Sequence, residues 1–479
     1  MNISLILDMA ASAGDRVAVT ADGRSLTATE LLSRARSAAE RFRGYPYVLY
    51  LGTNHLAYPV ALFGAALAGI AFVPLNYRLG EVQLDGLLSR HPGALVLRQA
   101  DLDALLEPAS TPEPEPVAAP QDPDEVAVLI YTSGTTSEPK AAVLRHRHLL
   151  AYVLNSLEFG SAAETDAALV AAPPYHIAGL TNLLSNLYTG RRVVYLAAFD
   201  AATWLDTVRR ERVTHAMVVP TMLARIVTEV DGHGDAGTPT LHSLSYGGAR
   251  TPRPVLERAL RVFPTTSFVN AYGLTETAST IAVLGPEDHR GALASNDPAV
   301  RERLSSAGQP LPGIEIQIRT EHGDPAAPGE TGLVFVRGEQ ISGEYGGCSS
   351  LDAEGWFATR DLGRLDADGY LFIEGRADDT IIRGGENIAP AEIEDVLLDH
   401  PGLTEAAVLG VPDPEWGQQL VAVVVGDGDP DEIKRWVRQR LRSAKTPDTI
   451  VFRGELPKTE TGKLLRRVLL AELASSTRA

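Results

Sequence analysis

The chain has 479 residues, a net charge of −18 and a composition that is 44% hydrophobic and 22% charged. That length exceeds one ordinary core and predicts two or more domains, while the acidic balance excludes nucleic acid and anionic membrane as main partners. The only cysteine, Cys348, excludes a disulfide framework and argues against a thiol nucleophile.

Residues 1–19 lack a basic start before their apolar stretch and read as a first helix, not a signal peptide. Residues 26–42 repeat apolar positions at helical spacing behind Ser25 and Thr27 as caps. A strand over 47–51, a small-residue helix over 56–69 and a further strand–helix pair from Val73 and Pro74 follow. Strands alternating with helices imply a parallel sheet covered on both faces. The most apolar run, 58–75, is broken by Pro59 and Pro74, which leave about 14 residues where ~20 would span a bilayer. A cytoplasmic protein with no membrane partner is expected. Six prolines between 108 and 123 read as an extended surface connection.

The apolar run 126–130 predicts a short buried strand, and it feeds Thr132, Ser133, Gly134, Thr135, Thr136 and Ser137. Glu138 and Pro139 turn the chain, and Lys140 follows. Small residues let backbone N–H groups approach a ligand, hydroxyls add donors and a lysine adds charge, which suits a triphosphate. This is not the Gly-x4-Gly-Lys-Ser/Thr loop, because Pro139 stands where the second glycine belongs. By itself the stretch reads equally well as a Ser/Thr-rich surface turn.

Residues 144–230 alternate helix and strand again and include Pro-Pro-Tyr-His-Ile-Ala-Gly at 173–179, with His176 at its centre. A strand over 244–249 ends in Gly247, Gly248 and Ala249. Asn270-Ala271-Tyr272-Gly273-Leu274-Thr275-Glu276-Thr277 follows. From about 305 to 375, glycine-rich turns separate short β runs at 314–318, 332–336 and 370–373, predicting a small β-rich subdomain. Within and after it stand Thr359-Arg360-Asp361-Leu362-Gly363 and Gly375-Arg376-Ala377-Asp378-Asp379. Beyond Asp378 come a helix over 391–398, strands over 406–409 and 420–425, and a basic amphipathic helix over 430–442. These roughly 100 residues suffice for a separate domain. The chain has only five lysines, at 140, 434, 445, 458 and 463. Lys463 closes Leu-Pro-Lys-Thr-Glu-Thr-Gly-Lys, a string too particular to read as a solvated basic tail.

Taken together, these strings resemble the adenylate-forming superfamily of acyl-CoA synthetases, peptide-synthetase adenylation domains and firefly-type luciferases. Residues 131–140 resemble its phosphate loop, 270–277 its Tyr-Gly-x-Thr-Glu motif, 359–363 and 375–379 its ribose and hinge motifs, and 456–463 its catalytic-lysine loop. The matches keep the family's order over most of the chain. Ser137 and Ala141 depart from it, standing where glycines are usual.

The resemblance implies an α/β fold: an N-terminal domain, 1–377, of two layered α/β subdomains plus the β-rich one, then a small mobile α+β domain, 378–479. It implies ATP-dependent conversion of a carboxylic acid to an acyl-adenylate, then transfer to coenzyme A with release of AMP. Lys463 would bridge carboxylate and α-phosphate. Glu276 would hold Mg²⁺, with Thr275 near the α-phosphate and His176 beside the carboxylate. The 132–136 loop and Lys140 would take the phosphates, while Gly247, Gly248, Ala249, Asn270, Tyr272 and Gly273 would line the adenine. Asp361 would accept both ribose hydroxyls, and Arg376 would touch ribose and phosphate. Asp378 would be the hinge, and Gly384 and Gly385 would border a pantetheine channel, with Trp416 and Lys445 toward the nucleotide end of coenzyme A.

No acid stands in Tyr175-His176-Ile177-Ala178 to meet a substrate ammonium, so an uncharged acyl chain or ring is expected, and the small residues over 176–188 with the short overall length point to a compact or cyclic acid. Only 16 residues follow Lys463, too few for a carrier domain. An acyl-AMP ligase serving a carrier protein's phosphopantetheine arm shares every motif and stays open, as does a homodimer. A degenerate, non-catalytic nucleotide-binding protein is kept open by Ser137 and Ala141.

Overall fold

A computed structural model describes residues 1–107, 122–132, 139–230, 236–383, 386–413, 416–459 and 462–476. Two large sheets carry the first two-thirds of the chain. The nine-stranded one runs parallel from Ser267–Leu274 through Ser243–Gly247, His215–Val218, Ala167–Val170 and Arg192–Tyr195 to Val17–Ala21. Antiparallel strands close both of its edges. The seven-stranded sheet has parallel strands Val126–Thr132, Ala71–Pro74, Tyr47–Leu51 and Leu95–Arg98, with antiparallel Lys140–Arg145, Glu344–Tyr345 and Cys348–Ser349 along one side. The expected parallel pairing holds through the middle of both sheets, and antiparallel pairs join it at the edges, where hairpins and returning segments pair without a crossover helix.

One core fills the layer between the sheets. It joins Tyr50, Phe72 and Val128 of one sheet to Val19, Val170 and Val193 of the other through the helices Ala28–Phe42, Ala57–Ala68, His146–Ser156 and Ile177–Thr189. The Ala28–Phe42 helix starts where Thr27 and Glu30 exchange a capping box. The Ala57–Ala68 helix is apolar all round because it is buried all round. A second core, with Trp204, Leu223 and Leu256, lies under helices on the outer face of the nine-stranded sheet.

Four antiparallel strands, Glu315–Arg319, Gly332–Arg337, Phe357–Leu365 and Leu371–Arg376, form the expected β-rich unit. The last part of the chain wraps three strands, Leu403–Asp413, Gly417–Gly426 and Thr449–Arg453, with helices. Its two cores draw on no residue before Ile381. The helix expected over 430–442 stops at Arg438. Ile433 and Val437 are its buried face, and the chain then turns so that Leu441 meets the same core before the final strand. Most of the proline-rich stretch lies outside the described residues. No helix among the described residues is long and apolar enough to cross a membrane.

Candidate active site

The strands Val126–Thr132 and Lys140–Arg145 pair antiparallel with Thr132 opposite Lys140. Ser133, Gly134, Thr135, Thr136 and Ser137 lie outside the described residues. Lys140 is exposed, and Ala141 stands within the ladder opposite Tyr131. The departure at 141 therefore sits on a strand and not in the loop.

Asp361 and Arg376 face each other across the Phe357–Leu365 and Leu371–Arg376 ladder, which is what their sequence spacing encodes. Arg376 donates to Asp361 Oδ1 at 2.7 Å, and the Tyr272 hydroxyl donates to Oδ2 at 2.5 Å. Burial, and next the Asp361 carboxylate, push the Tyr272 phenol well above its ordinary range, so it remains a donor. Asp361 was expected to accept two ribose hydroxyls. Each of its oxygens already holds one donor, so each has one lone pair left for a ligand. The Asn270 amide donates to the Ser306 carbonyl at 2.8 Å. Gly273 sits at a register shift, and a Cβ there would stand 1.8 Å from the Ser279 carbonyl oxygen.

Thr275 and Glu276 occupy the 3-10 turn Thr275–Thr277, which Thr277 locks by bonding Leu274 N–H and the Ser279 carbonyl. The next residues, Ala278 and Ser279, have φ of 50° and 105°, strain of the kind that collects at functional sites. Glu276 is 8% exposed and accepts a hydrogen bond from the Tyr345 hydroxyl. The N–H groups of Ser342 and Gly343 donate to its carbonyl at 2.9 and 3.1 Å. Burial raises the Glu276 carboxyl above its ordinary range, and the charges of Arg376 and Lys463 pull it back. No group of three His, Cys, Asp or Glu side chains among the described residues is arranged to hold a metal. A single carboxylate fits Mg²⁺, which takes one or two protein oxygens and relies on phosphates and water for the rest.

His176 precedes the Ile177–Thr189 helix and lies with its ring 4.6 Å from that of Tyr175. Gly247 ends its strand opposite Ala271, and Gly248 turns the chain with φ +84° toward Ala249. These features gather at the carboxyl ends of the parallel strands, where α/β sheets bind ligands.

Lys463 comes from the far end of the chain. Its loop is closed by Thr459 N–H to the Lys463 carbonyl and Gly462 N–H to the Thr459 carbonyl, both 2.8 Å. Gly462 has φ +78°, and a Cβ there would lie 2.5 Å from Thr221 Cγ2, so the loop abuts the N-terminal part. Among the described residues Lys463 and Lys140 have no carboxylate partner, whereas Lys458 is tied to Glu405 at 2.7 Å and Lys445 to Glu392. Asp378 lies in the turn Ala377–Asp379, 3.9 Å from Arg360, and Arg466 binds Glu394 at 2.7 Å and Asp379 at 3.3 Å. Arg250 pairs with Asp395 across the same junction. Gly384 and Gly385 lie outside the described residues. Arg383 before them bonds Asp448 at 2.7 Å and sits over the exposed Trp416 ring.

Tyr345 and Thr221 escaped the sequence reading. Tyr345 sits among ordinary turn glycines, and nothing local marks its reach to Glu276; only the pairing of its strand with Lys140–Arg145 brings it there.

A family model described as AMP-binding enzyme matches residues 7–345, and one described as AMP-binding enzyme C-terminal domain matches 392–463. A feruloyl-CoA synthase from Amycolatopsis is 38% identical over 94% of each chain. A fatty acid–[acyl-carrier-protein] ligase from Streptomyces coeruleorubidus is 33% identical over 94% of this chain and 92% of its own. Among solved structures, the o-succinylbenzoate CoA synthetase of Bacillus subtilis with its acyl-adenylate intermediate superimposes with a TM-score of 0.82, 30% identity and 97% coverage of both chains. The same enzyme has been solved with ATP and a magnesium ion.

Proposed function

This chain belongs to the AMP-binding enzyme family, and from that membership we infer how its residues divide an acid–thiol ligation between them. The reaction uses ATP, Mg²⁺ and coenzyme A. A carboxylate oxygen bonds to the α-phosphorus of ATP as the bond to the β-phosphate bridging oxygen breaks, releasing pyrophosphate. A thiol then forms a C–S bond at the acyl carbon, the C–O bond to AMP breaks, and the thiol proton passes to solvent.

The first step brings two anions together, so positioning and charge compensation carry the catalysis. The observation that supports the assignment is the seating of the Lys463 loop against Thr221, close enough for the ammonium's charge to lower the pKa of the Glu276 carboxyl without an ion pair to it. Lys463 holds the attacking carboxylate against the α-phosphate. Asp361, aligned by Tyr272 and Arg376, accepts from the ribose. The 132–136 loop and Lys140 hold the outer phosphates, Thr275 reaches the α-phosphate, and His176 walls the carboxylate. Gly247, Gly248, Ala249, Asn270 and Gly273 border the base. Glu276 holds Mg²⁺, which when bound neutralises phosphate oxygens. The domain boundary falls at 377/378. Asp378 is the hinge about which residues 378–479 turn between steps, exchanging the Lys463 loop for the Gly384–Gly385 loop beside the thiol.

The substrate is an uncharged aryl or cyclic acid, a reading supported by the absence of an acidic residue at 175–178 and by the feruloyl-CoA synthase relatives. The relative that serves a carrier protein favours a second reading in which the acceptor is a phosphopantetheine arm. The use of ATP and coenzyme A supports a cytoplasmic location. Pyrophosphate release across aliphatic, aromatic and polycyclic acids, with coenzyme A or loaded carrier protein as acceptor, tests all of this. Activity is expected with aryl acids and coenzyme A, and silence with every acid would leave only a nucleotide-binding protein.

A further inference from the structure

Parallel strands between helices ordinarily bury both faces. The nine-stranded sheet does so on its outer face, where Ala216, Val218, Leu244, Tyr246 and Phe268 are buried. On its inner face Met217, Ser245 and Val269 stay part-exposed, and they stand side by side in register. Opposite them runs the Ile177–Thr189 helix. Its part-exposed Ala178, Asn182 and Ser185 recur at i, i+4 and i+7, one stripe of a helix, while Leu180, Leu183 and Leu184 enter the core. The Asn182 amide, 3.1 Å from Met217 Sδ, ties the two surfaces together. The part exposure of both walls marks a slot between them, with His176 and Gly247 at one end.

Three polar groups along this slot are unmatched. Asn182 Nδ2 donates to the Ala178 carbonyl at 2.9 Å and to Met217 sulfur, both acceptors only. The amide orientation is thereby fixed, and Oδ1 is left with no donor among the described residues. The Ser245 hydroxyl has no hydrogen bond among them either, and Ser185 Oγ is buried without a partner. Asn182 comes six residues after His176, about 9 Å along a helix, and Ser245 two residues before Gly247, about 7 Å along a strand.

We propose, resting on the ligase reading above, that this slot selects an acid of one ring and a short spacer that carries a hydroxyl at the end remote from its carboxyl. Asn182 Oδ1 accepts a hydrogen bond from that hydroxyl, with Ser245 on the facing strand. An acceptor in this place rejects a methyl ether or a second carboxylate and gains nothing from a bare ring.

The test compares 3-(4-hydroxyphenyl)propenoic acid with its 4-methoxy and unsubstituted analogues by kcat/KM for pyrophosphate release. The native enzyme is expected to favour the phenol at least about tenfold over both. Asn182→Leu, which removes the acceptor, should bring the ratios near one. Each ratio is taken on one preparation, so a loss of folded protein cancels. Equal rates in the native enzyme, or a preference that survives Asn182→Leu, would overturn the proposal while leaving the ligase reading intact. Release with none of the three acids, nor with the wider panel, would overturn both.

Discussion

Glu276 is where a single side chain decides the most. Its carboxyl is buried and its pKa raised, so it stays protonated further toward neutrality than a free glutamate does. A protonated carboxyl cannot bind a hard cation, and protons and Mg²⁺ therefore compete for it. The first half-reaction should fall away on the acid side at a higher pH than an ordinary glutamate dictates, and that limb should move down as Mg²⁺ rises. Pyrophosphate release from about pH 5 to 8 at limiting and saturating Mg²⁺ checks this, and a limb that ignores Mg²⁺ removes Glu276 from the ion. The three-group cluster of Tyr272, Asp361 and Arg376 has the same character. Its members were identifiable from their strings, but the way they consume one another's hydrogen bonds was not.

Among the elements, the Ser267–Leu274 strand carries the heaviest constraint. It pairs with the next strand through a register shift at Tyr272 and Gly273, which re-aims the chain into the Thr275–Thr277 turn. A methyl group at Gly273 collides with the backbone of Ser279, and a backbone oxygen cannot swing aside as a side-chain tip can. Gly273→Ala should lower stability by about 1–3 kcal/mol and depress adenylation more than the stability loss explains, because the turn holding Glu276 must shift. Thermal unfolding together with single-turnover pyrophosphate release separates the two effects, and an unaffected melting temperature would show that the strand adapts. The strands and helices of the large sheets were legible because their periods and caps are local. The end of the Pro430–Arg438 helix was not, since the turn after it answers to a distant core.

On the scale of the whole molecule, the C-terminal unit has its own two cores. Its described ties to the remainder include the Arg250–Asp395 pair and the seat of Gly462 on Thr221. Interfaces between domains of one chain are ordinarily more polar than permanent ones. Lys463→Ala should slow adenylate formation by about 100-fold or more while sparing thioester formation from supplied acyl-adenylate. Asp378→Pro should hold one orientation and uncouple the two steps. Equal losses in both halves for Lys463→Ala, followed by rapid quench, would rule out the pivoting lysine.

The sequence by itself determined the chemistry on offer: a Ser/Thr-rich phosphate stretch, a Tyr-Gly-x-Thr-Glu string, an aspartate and an arginine fifteen residues apart, and a terminal lysine. Those features are readable because short-range spacing sets which residues share a turn or face across a ladder. Only the tertiary structure decided that Tyr345 holds Glu276, that Thr132 pairs with Lys140, and that Asn182 meets Met217 over a half-open sheet face. Those contacts join segments from separate elements, and the packing of one layer on another, which no local pattern records, sets which of them touch.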